Sequence, residues 1–547
     1  MSTNRIYMTS YRIRMRAVGL LTVTALAVPA KIRAQDARTV ADSLVHAGDI
    51  AARESKPSEA IAAYERAIVL DRYLRLPFLP RLGRQYLWSD RPSEAAQLFR
   101  EYLALHPRAC ETQLDLGLAL SWANELNAAR VAYDSVAANC VYERGAARLG
   151  AARVLRWGNH FTASERRYRE IQADGTDLDR EQAAIGIAYV RLAQGRPRAA
   201  LALADSMIAT GSKDKSLVEA RVMALADLGS LGTAVELVHA ERAAGRGSAS
   251  MDRLAQGWED RARTSFTLGA RGFRDHDGTS YRAAELASGA APLTLGAVRV
   301  AGRGAELRGD GVTLRSREVE TTLDLRPARD FALAARAGLR GYDDIAFSPW
   351  DGEVNFTWLP GDRHRLDGAA AHVVISDNVA AIQNHLTGTF GSVGVTERLT
   401  SALSLALSTD ATHWSEGNTR LRVRVTPRWS FEGVPIVTLE WPTTYQHYDE
   451  PFDFRFFSPE QYVETGPAVS VSKRVASKWY LSAYARGGAL RETGSDWQPL
   501  GMGRASVERD VSSHWGVRLD GGWSNSNLTG SAGFQRTSLS LGVTIRP

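Results

Sequence analysis

Residues 419–428 have the sequence TRLRVRVTPR, in which every second side chain is apolar up to the proline. One face carries Leu421, Val423 and Val425, and the other carries Arg420, Arg422 and Arg424. A period of two residues is typical of a β-strand, because successive side chains of a strand point to opposite faces of its sheet. The segment therefore predicts a strand with one apolar face and one strongly basic face.

The same alternation recurs through residues 264–547, for example in 331–341 and 514–524, where Arg336 and Arg518 lie on the polar faces. Turn residues divide this region about every 17 residues, which leaves room for about 14–16 antiparallel strands. We expect one large closed sheet. A soluble sandwich or propeller would show the same alternation, so the residues before the sheet must distinguish these folds.

Residues 1–34 have the features of a secretory signal peptide. A leader with four arginines precedes an apolar run over 17–30, and cleavage is expected after Ala34. No later apolar run is long enough to predict a transmembrane helix. An exported chain with a large alternating sheet fits an outer-membrane β-barrel, whose sheet must close because lipid cannot hydrogen-bond to an open edge.

The formal net charge of +6 suggests a polyanion-binding protein. However, the basic residues of the signal segment account for the whole excess: Arg5, Arg12, Arg14, Arg16, Lys31 and Arg33. The mature chain is neutral by this count, so we expect no binding to nucleic acid.

Residues 35–245 are rich in Ala, Leu, Arg and Glu and have a helical period that repeats about six times. Alanines recur 34 to 36 residues apart, near the start of each second helix: Ala60, Ala95, Ala129, Ala163, Ala199 and Ala234. An aromatic residue follows the first three alanines by one helical turn, whereas Arg167 takes that place in the fourth unit. This pattern resembles the tetratricopeptide repeat and predicts a stacked α-solenoid. Residues 246–263 form a polar junction to the sheet.

Three tryptophans, Trp88, Trp122 and Trp157, end the first helix of repeats two to four. Exposed indoles at this spacing could stack against sugar rings or an aromatic-rich partner. Alternatively, they fill gaps between neighbouring repeats. The second interpretation is favoured, because a residue at a fixed repeat position next to a turn usually packs against its neighbour.

The sequence has two cysteines, Cys110 and Cys140, which bracket the third repeat. The two ends of an antiparallel helical hairpin lie side by side, so we predict a disulfide, which an oxidising periplasm would preserve. Closing this loop would stabilise the fold by roughly 3–4 kcal/mol in the chain-entropy model. Two cysteines without a nearby histidine do not predict a metal site.

The signal segment, the degenerate repeats and the C-terminal alternation together resemble the YaiO-type outer-membrane family. They are also similar to the outer-membrane subunits that export cellulose and poly-N-acetylglucosamine. The repeats contain a Leu-Trp or Ala-Leu-Ser-Trp step at 87–88 and 119–122, and Leu-Arg-Trp at 155–157. Residues 455–462, RFFSPEQY, are similar to an aromatic-Ser-Pro step found late in those barrels. The resemblance implies an outer-membrane barrel with periplasmic repeats and a role in polysaccharide passage.

Six arginines are candidate lumen residues that would favour anions or bind carboxylates and phosphates: Arg336, Arg420, Arg422, Arg424, Arg428 and Arg518. The alternative is that they pair with lumen carboxylates such as Glu318, Glu320, Asp324 and Asp520.

No enzyme motif lies in a suitable sequence context. Four residues that are close in sequence could serve hydrolysis, but we interpret them as scattered lumen or loop residues: His364, His372, Ser376 and Asp377. We therefore expect neither catalysis nor a cofactor. The first functional hypothesis is a conduit or scaffold for envelope or exopolysaccharide traffic, with a periplasmic protein, the polymer and membrane lipid as partners. The second is a non-conducting anchor for the repeats, and the third is an outer-membrane hydrolase or acyltransferase.

Overall fold

The computed structural model describes residues 30–294, 296–450, 457–475, 479–512, 514–526 and 535–547, with side chains from residue 37 onward. The predicted signal segment, 1–34, therefore lies almost wholly outside the described residues, as do the first two residues of the 455–462 motif. The chain forms two compact units, Met1–Ala123 and Asn124–Pro547. The second unit contains the sheet together with the later helices.

Thirteen α-helices precede the sheet in the described part of the chain. They are α1 (Ala30–Arg53), α2 (Pro57–Leu70), α3 (Arg75–Trp88), α4 (Pro92–Leu105), α5 (Cys110–Trp122), α6 (Leu126–Asn139), α7 (Arg144–Trp157), α8 (Phe161–Asp174), α9 (Asp177–Ala193), α10 (Pro197–Ala209), α11 (Lys215–Asp227), α12 (Leu231–Ala243) and α13 (Ala249–Ala262). Among the described residues, no helix combines the length and apolar character needed to cross a bilayer.

The first twelve helices form six pairs, and each pair turns at an equivalent residue with a positive φ angle: Ser55, Asp90, Asn124, Asn159, Gly195 and Gly229. Glycine, asparagine and aspartate tolerate this left-handed conformation better than other residues. The regular spacing of these turns confirms the predicted helical repeats.

The predicted register of the fourth and fifth repeats is wrong by one residue. Ser164 and Ala200, rather than Ala163 and Ala199, are fully buried. The serine is tolerated because its Oγ donates a 2.7 Å hydrogen bond to the carbonyl of Ala152. One turn further on, the repeat's aromatic position is therefore held by buried Tyr168 and not by Arg167.

Eighteen strand segments follow the helices. They are β1 (Ser265–Asp275), β2 (Ser280–Ala290), β3 (Gly296–Gly309), β4 (Val312–Ala328), β5 (Phe331–Tyr342), β6 (Trp350–Trp358), β7 (His364–Val374), β8 (Thr387–Arg398), β9 (Leu403–Trp414), β10 (Thr419–Phe431), β11 (Ile436–Glu440), β12 (Thr443–Tyr448), β13 (Gln461–Thr465), β14 (Ala468–Val475), β15 (Trp479–Glu492), β16 (Gln498–Asp510), β17 (Trp515–Ser524) and β18 (Arg536–Ile545). One short helix, α14 (Val379–Gln383), lies between β7 and β8.

The segments form a closed antiparallel barrel of sixteen strands, which confirms the predicted fold. Closure comes from β1, which pairs with β2 on one side and with β18 on the other. Segments β11 and β12 both pair with β10, and β13 and β14 both pair with β15, so each couple is one interrupted strand. Pro442 and Pro467 lie at the two interruptions, where a residue without an N–H cannot continue the ladder.

The two faces of the barrel differ as the alternation predicts. Outward-facing apolar side chains such as Leu339 and Leu421 are exposed. Their neighbours Arg340 and Arg420 point inward, and their side chains are only 11% and 16% exposed. The barrel therefore has an apolar outer surface and a charged interior.

Candidate functional site: the barrel lumen and its inward segment

The connection between β7 and β8, residues 375–386, folds into the barrel and is called here the inward segment. It contains the single turn of α14, whose first residue follows Asn378. The side-chain oxygen of Asn378 accepts a 2.9 Å hydrogen bond from the backbone N–H of Ala381 and so caps the helix. Val379, Ala381 and Ile382 are buried, which is unusual for a loop and shows that the segment is packed on the barrel interior.

The inward segment packs against two opposite walls of the barrel. Val379 and Ile382 cluster with Leu307 of β3 and Leu314 of β4. Ala381 and Leu386 cluster instead with Trp414 of β9 and Tyr448 of β12. In the strand order, β3 and β12 lie half-way round the sixteen-stranded sheet from one another. The segment therefore reaches across the lumen.

An ion-pair network joins the inward segment to the barrel wall. Arg536 of β18 donates hydrogen bonds of 2.8 Å to both carboxylate oxygens of Asp275 on β1. It also donates a 2.9 Å hydrogen bond to Asp377 of the inward segment. The guanidinium lies 3.7 Å from the ring centroid of Phe273, and the side chain of Asp275 is fully buried. Shielded from water, such charge-assisted bonds are stronger than their surface equivalents.

A second cluster of paired charges lines β2 to β6. Arg303 binds Glu285 and Glu318 at 2.8 and 2.9 Å, and Arg340 also binds Glu318 at 2.9 Å. Nearby, Arg336 pairs with Asp351 and lies 3.4 Å from Glu320. These ion pairs join adjacent strands along this wall, so the lumen here presents alternating acidic and basic groups.

Two neighbouring arginines of β10 share a single carboxylate. Arg420 and Arg422 both pair with Asp410 of β9, at 3.0 and 2.7 Å. Arg424 is hydrogen-bonded to the hydroxyl of Thr444 at 3.3 Å, and in the described part of the chain no carboxylate lies within ion-pair distance of it. This wall consequently carries an excess of positive charge.

The other two predicted lumen arginines are also paired, and Arg518 has a second acidic neighbour, Glu508, at 3.9 Å. Arg428 pairs with Glu440 at 2.6 Å, and Arg518 pairs with Asp520 at 2.9 Å. Most of the six candidate arginines are thus partnered, as the alternative interpretation of the sequence proposed. The principal partners Asp410, Asp351 and Glu440 were not among the carboxylates named from the sequence.

Two of the cavities in the lumen have volumes of about 890 and 790 Å³. They share lining residues, including Arg271, Ser376, Arg518 and Asp520, so they are neighbouring parts of one interior space. The larger cavity adds hydroxyl and aromatic groups to the charged lining: Phe273, Tyr281, Tyr480, Tyr484, Ser472 and Ser506. Such a lining can hydrogen-bond and stack with polar, ring-containing molecules.

Three of the four residues considered for hydrolytic chemistry have separate partners, and the fourth, Ser376, lines the lumen cavities. His364 pairs with Glu397, and the His372 ring stacks on Trp350 with centroids 4.4 Å apart. Asp377 is engaged by Arg536. None of these three contacts places a nucleophile beside a base.

The repeat tryptophans lie outside the barrel and are exposed. Trp88, Trp122 and Trp157 have exposed fractions of 65%, 42% and 38%. Trp88 and Trp122 meet edge to face, with ring centroids 5.8 Å apart. Beside Trp157, burial lowers the pKa of the Arg156 guanidinium. The indoles of repeats two and three thus contact each other while remaining partly exposed, and both interpretations of the three tryptophans stay predictions.

The cysteines take the places expected from the sequence, with Cys110 opening α5 and Cys140 following α6. Neither cysteine is free among the described residues, and both are disulfide-bonded.

Carboxylates of two barrel turns cap helices of the later repeats. Glu432, between β10 and β11, accepts hydrogen bonds from the backbone N–H and hydroxyl of Thr162 in α8, at 2.9 and 2.7 Å. Asp362, between β6 and β7, accepts bonds of 3.1 and 2.9 Å from the backbone N–H groups of Arg198 and Ala199 in α10. Anions are favoured at helix N-termini, where N–H groups lack partners.

No protein-family description matches the sequence, and no curated protein matches it. Among solved structures, the chain is similar to a bacterial polysaccharide outer membrane secretin, with 15% identity, a TM-score of 0.43, and coverage of 52% of this chain and 99% of the other. It is similar to PilW, a widely conserved type IV pilus biogenesis factor, with 17% identity, a TM-score of 0.32, and coverage of 39% and 98%. Pseudomonas aeruginosa OccK7 aligns with 11% identity, a TM-score of 0.30, and coverage of 52% and 98%. Because all three TM-scores are below 0.5, the fold described above rests on the chain's own helices and strands.

Proposed function

We propose that the protein is an outer-membrane conduit for an exopolysaccharide or another envelope polymer, with its helical repeats acting as a periplasmic scaffold. The observation that carries this proposal is the charged lumen, with cavities of about 890 and 790 Å³, inside an apolar outer surface. A closed barrel satisfies its backbone hydrogen bonds without water and can therefore cross lipid. A polar interior then provides an aqueous path.

The lengths of the connections support a periplasmic location for the repeats. The later helices, α6 to α13, belong to the same compact unit as the barrel and precede β1, so they lie at the barrel end that also holds the connections 291–295, 329–330, 359–363 and 399–402. Each of these turns has two to five residues, whereas the opposite end holds the longer connections 343–349 and 375–386 together with some turns as short as 310–311. Short turns are typical of the periplasmic end of an outer-membrane barrel, whereas the extracellular loops are longer.

The chemistry of the lining suits a hydroxylated polymer. Paired arginines and carboxylates offer hydrogen-bond donors and acceptors to sugar hydroxyls, and Tyr281 and Tyr484 offer rings against which a sugar can stack. The unshared positive charge around Arg424 would also attract acidic groups on such a polymer.

The inward segment favours a second candidate, a barrel that only anchors the repeats and presents them to a periplasmic protein. Because this segment reaches across the lumen, passage requires that it move aside. The two candidates therefore differ in whether its displacement opens a path.

Liposome swelling with neutral oligosaccharides of increasing size separates the two candidates. We compare the native protein with a variant in which residues 376–385 are replaced by ten Gly and Ser residues, called the linker variant. A matched control replaces the β15–β16 connection, 493–497, in the same way. The conduit proposal expects fast tetrasaccharide entry only with the linker variant. If a folded linker variant admits no more sugar than the control, the anchor proposal is favoured instead.

A further inference from the structure

The lumen cavity of about 890 Å³, called here the basic cavity, has an excess of positive charge. Four arginines and two aspartates line it among the described residues: Arg271, Arg504, Arg518, Arg536, Asp377 and Asp520. Both aspartates are already bound, since Asp520 pairs with Arg518 and Asp377 pairs with Arg536. Arg271 and Arg504 carry the remaining two charges of this lining.

Arg271 of β1 and Arg504 of β16 have no carboxylate within ion-pair distance in the described part of the chain. Glu285 of β2 is within electrostatic range of Arg271, but two other arginines, of β3, already bind it. Arg271 and Arg504 line the cavity and are exposed, so their charges are hydrated and not buried. Such a guanidinium can exchange its water for the acid group of a ligand.

The smaller lumen cavity, of about 790 Å³, is nearly balanced in charge, with six arginines and five carboxylates among its described lining residues. One of the six is Arg271, which lines both cavities. Without Arg271, the numbers of acidic and basic groups are equal. The unmatched positive charge of the two cavities is therefore concentrated at Arg271 and Arg504, on the wall from β16 to β1.

Small side chains separate Arg271 from Arg504 on this wall. Strands β17 and β18 lie between them and contribute Gly522, Ser538 and Ser540 to the cavity lining. A Cβ at position 522 would lie 3.3 Å from Cγ of Arg504, so glycine leaves room for the arginine side chain. Three strand spacings correspond to roughly 14 Å along the wall, so an extended ligand, and not one small ion, can reach both guanidinium groups.

Each of the two arginines has an aromatic ring beside it. The guanidinium of Arg271 lies 5.9 Å from the ring centroid of Tyr281, and Arg504 is directly opposite Tyr484 in the β15–β16 ladder. Serine hydroxyls line the wall around Tyr484, on strands β14 to β16: Ser470, Ser472, Ser482 and Ser506. A sugar acid carries a carboxylate for a guanidinium, a ring face for an aromatic side chain, and hydroxyls for the serines.

We propose that the basic cavity binds an acidic oligosaccharide whose carboxylates pair with Arg271 and Arg504. The sugar rings contact Tyr281 and Tyr484. This inference rests on the proposed function, because it assigns the chemical class of the polymer that the barrel would pass. Phosphate groups would also pair with the two arginines, but they have no ring for the tyrosines. The ligand is therefore a chain of sugar acids and not a polyphosphate.

Isothermal titration calorimetry of the full-length protein in detergent micelles tests the proposal, with trigalacturonic acid as the probe. Maltotriose, a neutral trisaccharide, and tripolyphosphate are the comparison ligands. Each titration is repeated with the linker variant, in which the inward segment cannot limit access to the cavity. Arg271→Gln with Arg504→Gln removes the two unmatched charges. A matched control, Arg308→Gln with Arg317→Gln, removes two exposed arginines that line neither cavity in the described part of the barrel.

We expect trigalacturonic acid to bind, and the substitution of Arg271 and Arg504 to weaken its binding by about tenfold or more. The control substitution should leave the affinity unchanged, and maltotriose should bind more weakly than the sugar acid. Absence of binding to both the native protein and the linker variant would overturn the proposal, as would equal binding by the lumen and control variants. Equal affinity for tripolyphosphate would overturn the sugar assignment in favour of any polyanion.

Binding is measured here without passage through the barrel, so the two proposals can fail separately. A barrel that binds the sugar acid but passes no sugar contradicts only the conduit proposal. A barrel that passes neutral sugars but does not bind the sugar acid contradicts only the assignment of the basic cavity.

Discussion

Arg536 on the barrel wall donates a 2.9 Å hydrogen bond to Asp377, a residue of the inward segment. The same guanidinium is held in place by two bonds to Asp275, so its position does not depend on Asp377. Arg536 is therefore a fixed cation to which the inward segment attaches.

Asp377→Ala should loosen the inward segment while leaving Arg536 paired with Asp275. A hydrogen bond between charged groups contributes roughly 1.5–3 kcal/mol, so hydrogen exchange of the amides in 379–386 should accelerate by about tenfold or more. Asp367→Ala removes a carboxylate from β7 that pairs with Arg365 instead, and should leave this exchange unchanged. Unchanged exchange in Asp377→Ala would show that apolar packing alone holds the segment.

Replacing Arg420, Arg422 and Arg424 together with Gln should shift ion selectivity towards cations. Arg420 and Arg422 share one carboxylate, Asp410, and Arg424 is bonded to a hydroxyl, so the substitution converts a positive wall into a negative one. Reversal potentials across a potassium chloride gradient, recorded in the linker variant, measure the shift. A control replaces Arg108, Arg144 and Arg180, which are exposed in the helical repeat region, and should have no effect. Unchanged selectivity in a folded lumen variant would contradict a lumen role for these arginines.

Glu432→Ala with Asp362→Ala should weaken the attachment of the later repeats to the barrel. Each substitution removes the acceptor for helix N-terminal N–H groups, which typically costs about 1 kcal/mol, or roughly a fivefold change in local opening. Limited proteolysis at the α7–α8 and α9–α10 turns should accelerate accordingly. Thr176→Ala serves as the control, because Thr176 is the N-cap of α9 and belongs to the repeats, not to the barrel. This substitution should leave cleavage at the α7–α8 turn unchanged. Equal cleavage of the double variant and the native protein would contradict the attachment.

Gly83→Ala should destabilise the repeats, although alanine usually favours a helix. A Cβ at position 83 would lie 2.5 Å from Cε1 of Phe99, whose fully buried ring cannot move away. Overpacking of this kind costs about 1–3 kcal/mol, which outweighs the helix-propensity gain of about 0.5–1 kcal/mol. Gly257→Ala in α13 meets no atom within 4 Å and should be stabilising.

Thermal melting followed by far-UV circular dichroism measures both glycine variants. The helical transition should shift downward for Gly83→Ala and slightly upward for Gly257→Ala. An upward shift for both would mean that the repeats relax around the added methyl group.

The alternation of apolar and polar residues was sufficient to predict the strands and their inward and outward faces. It also predicted about 14–16 strands, a range that includes the observed sixteen. Leu421 and Arg422 show the reason. Shifting their strand by one residue would exchange the two faces and place Arg422 in lipid, so only one strand register is allowed. The repeats were also predictable from their period. The presence of Ser164 at the buried alanine position of the fourth repeat was not predictable, because it depends on a hydrogen bond to Ala152 that sequence spacing does not reveal.

The inward segment could not have been found from periodicity. The helix of 379–383 is too short for a helical pattern, and its burial depends on side chains of β3 and β12 that are distant in sequence. The sequence suggested only a possible hydrolytic role for Ser376 and Asp377, and not a position inside the barrel. Likewise, the sharing of Asp410 by two arginines follows from strand pairing, which alternation alone does not specify.

Single-channel recording in planar bilayers tests most directly whether the barrel is a conduit closed by its inward segment. The native protein and the linker variant are compared after each has shown the faster unheated gel migration of a folded barrel. The account predicts rare, small openings for the native protein and large, stable conductance steps for the linker variant. A folded linker variant that does not conduct would contradict it and leave the barrel as an anchor for the repeats.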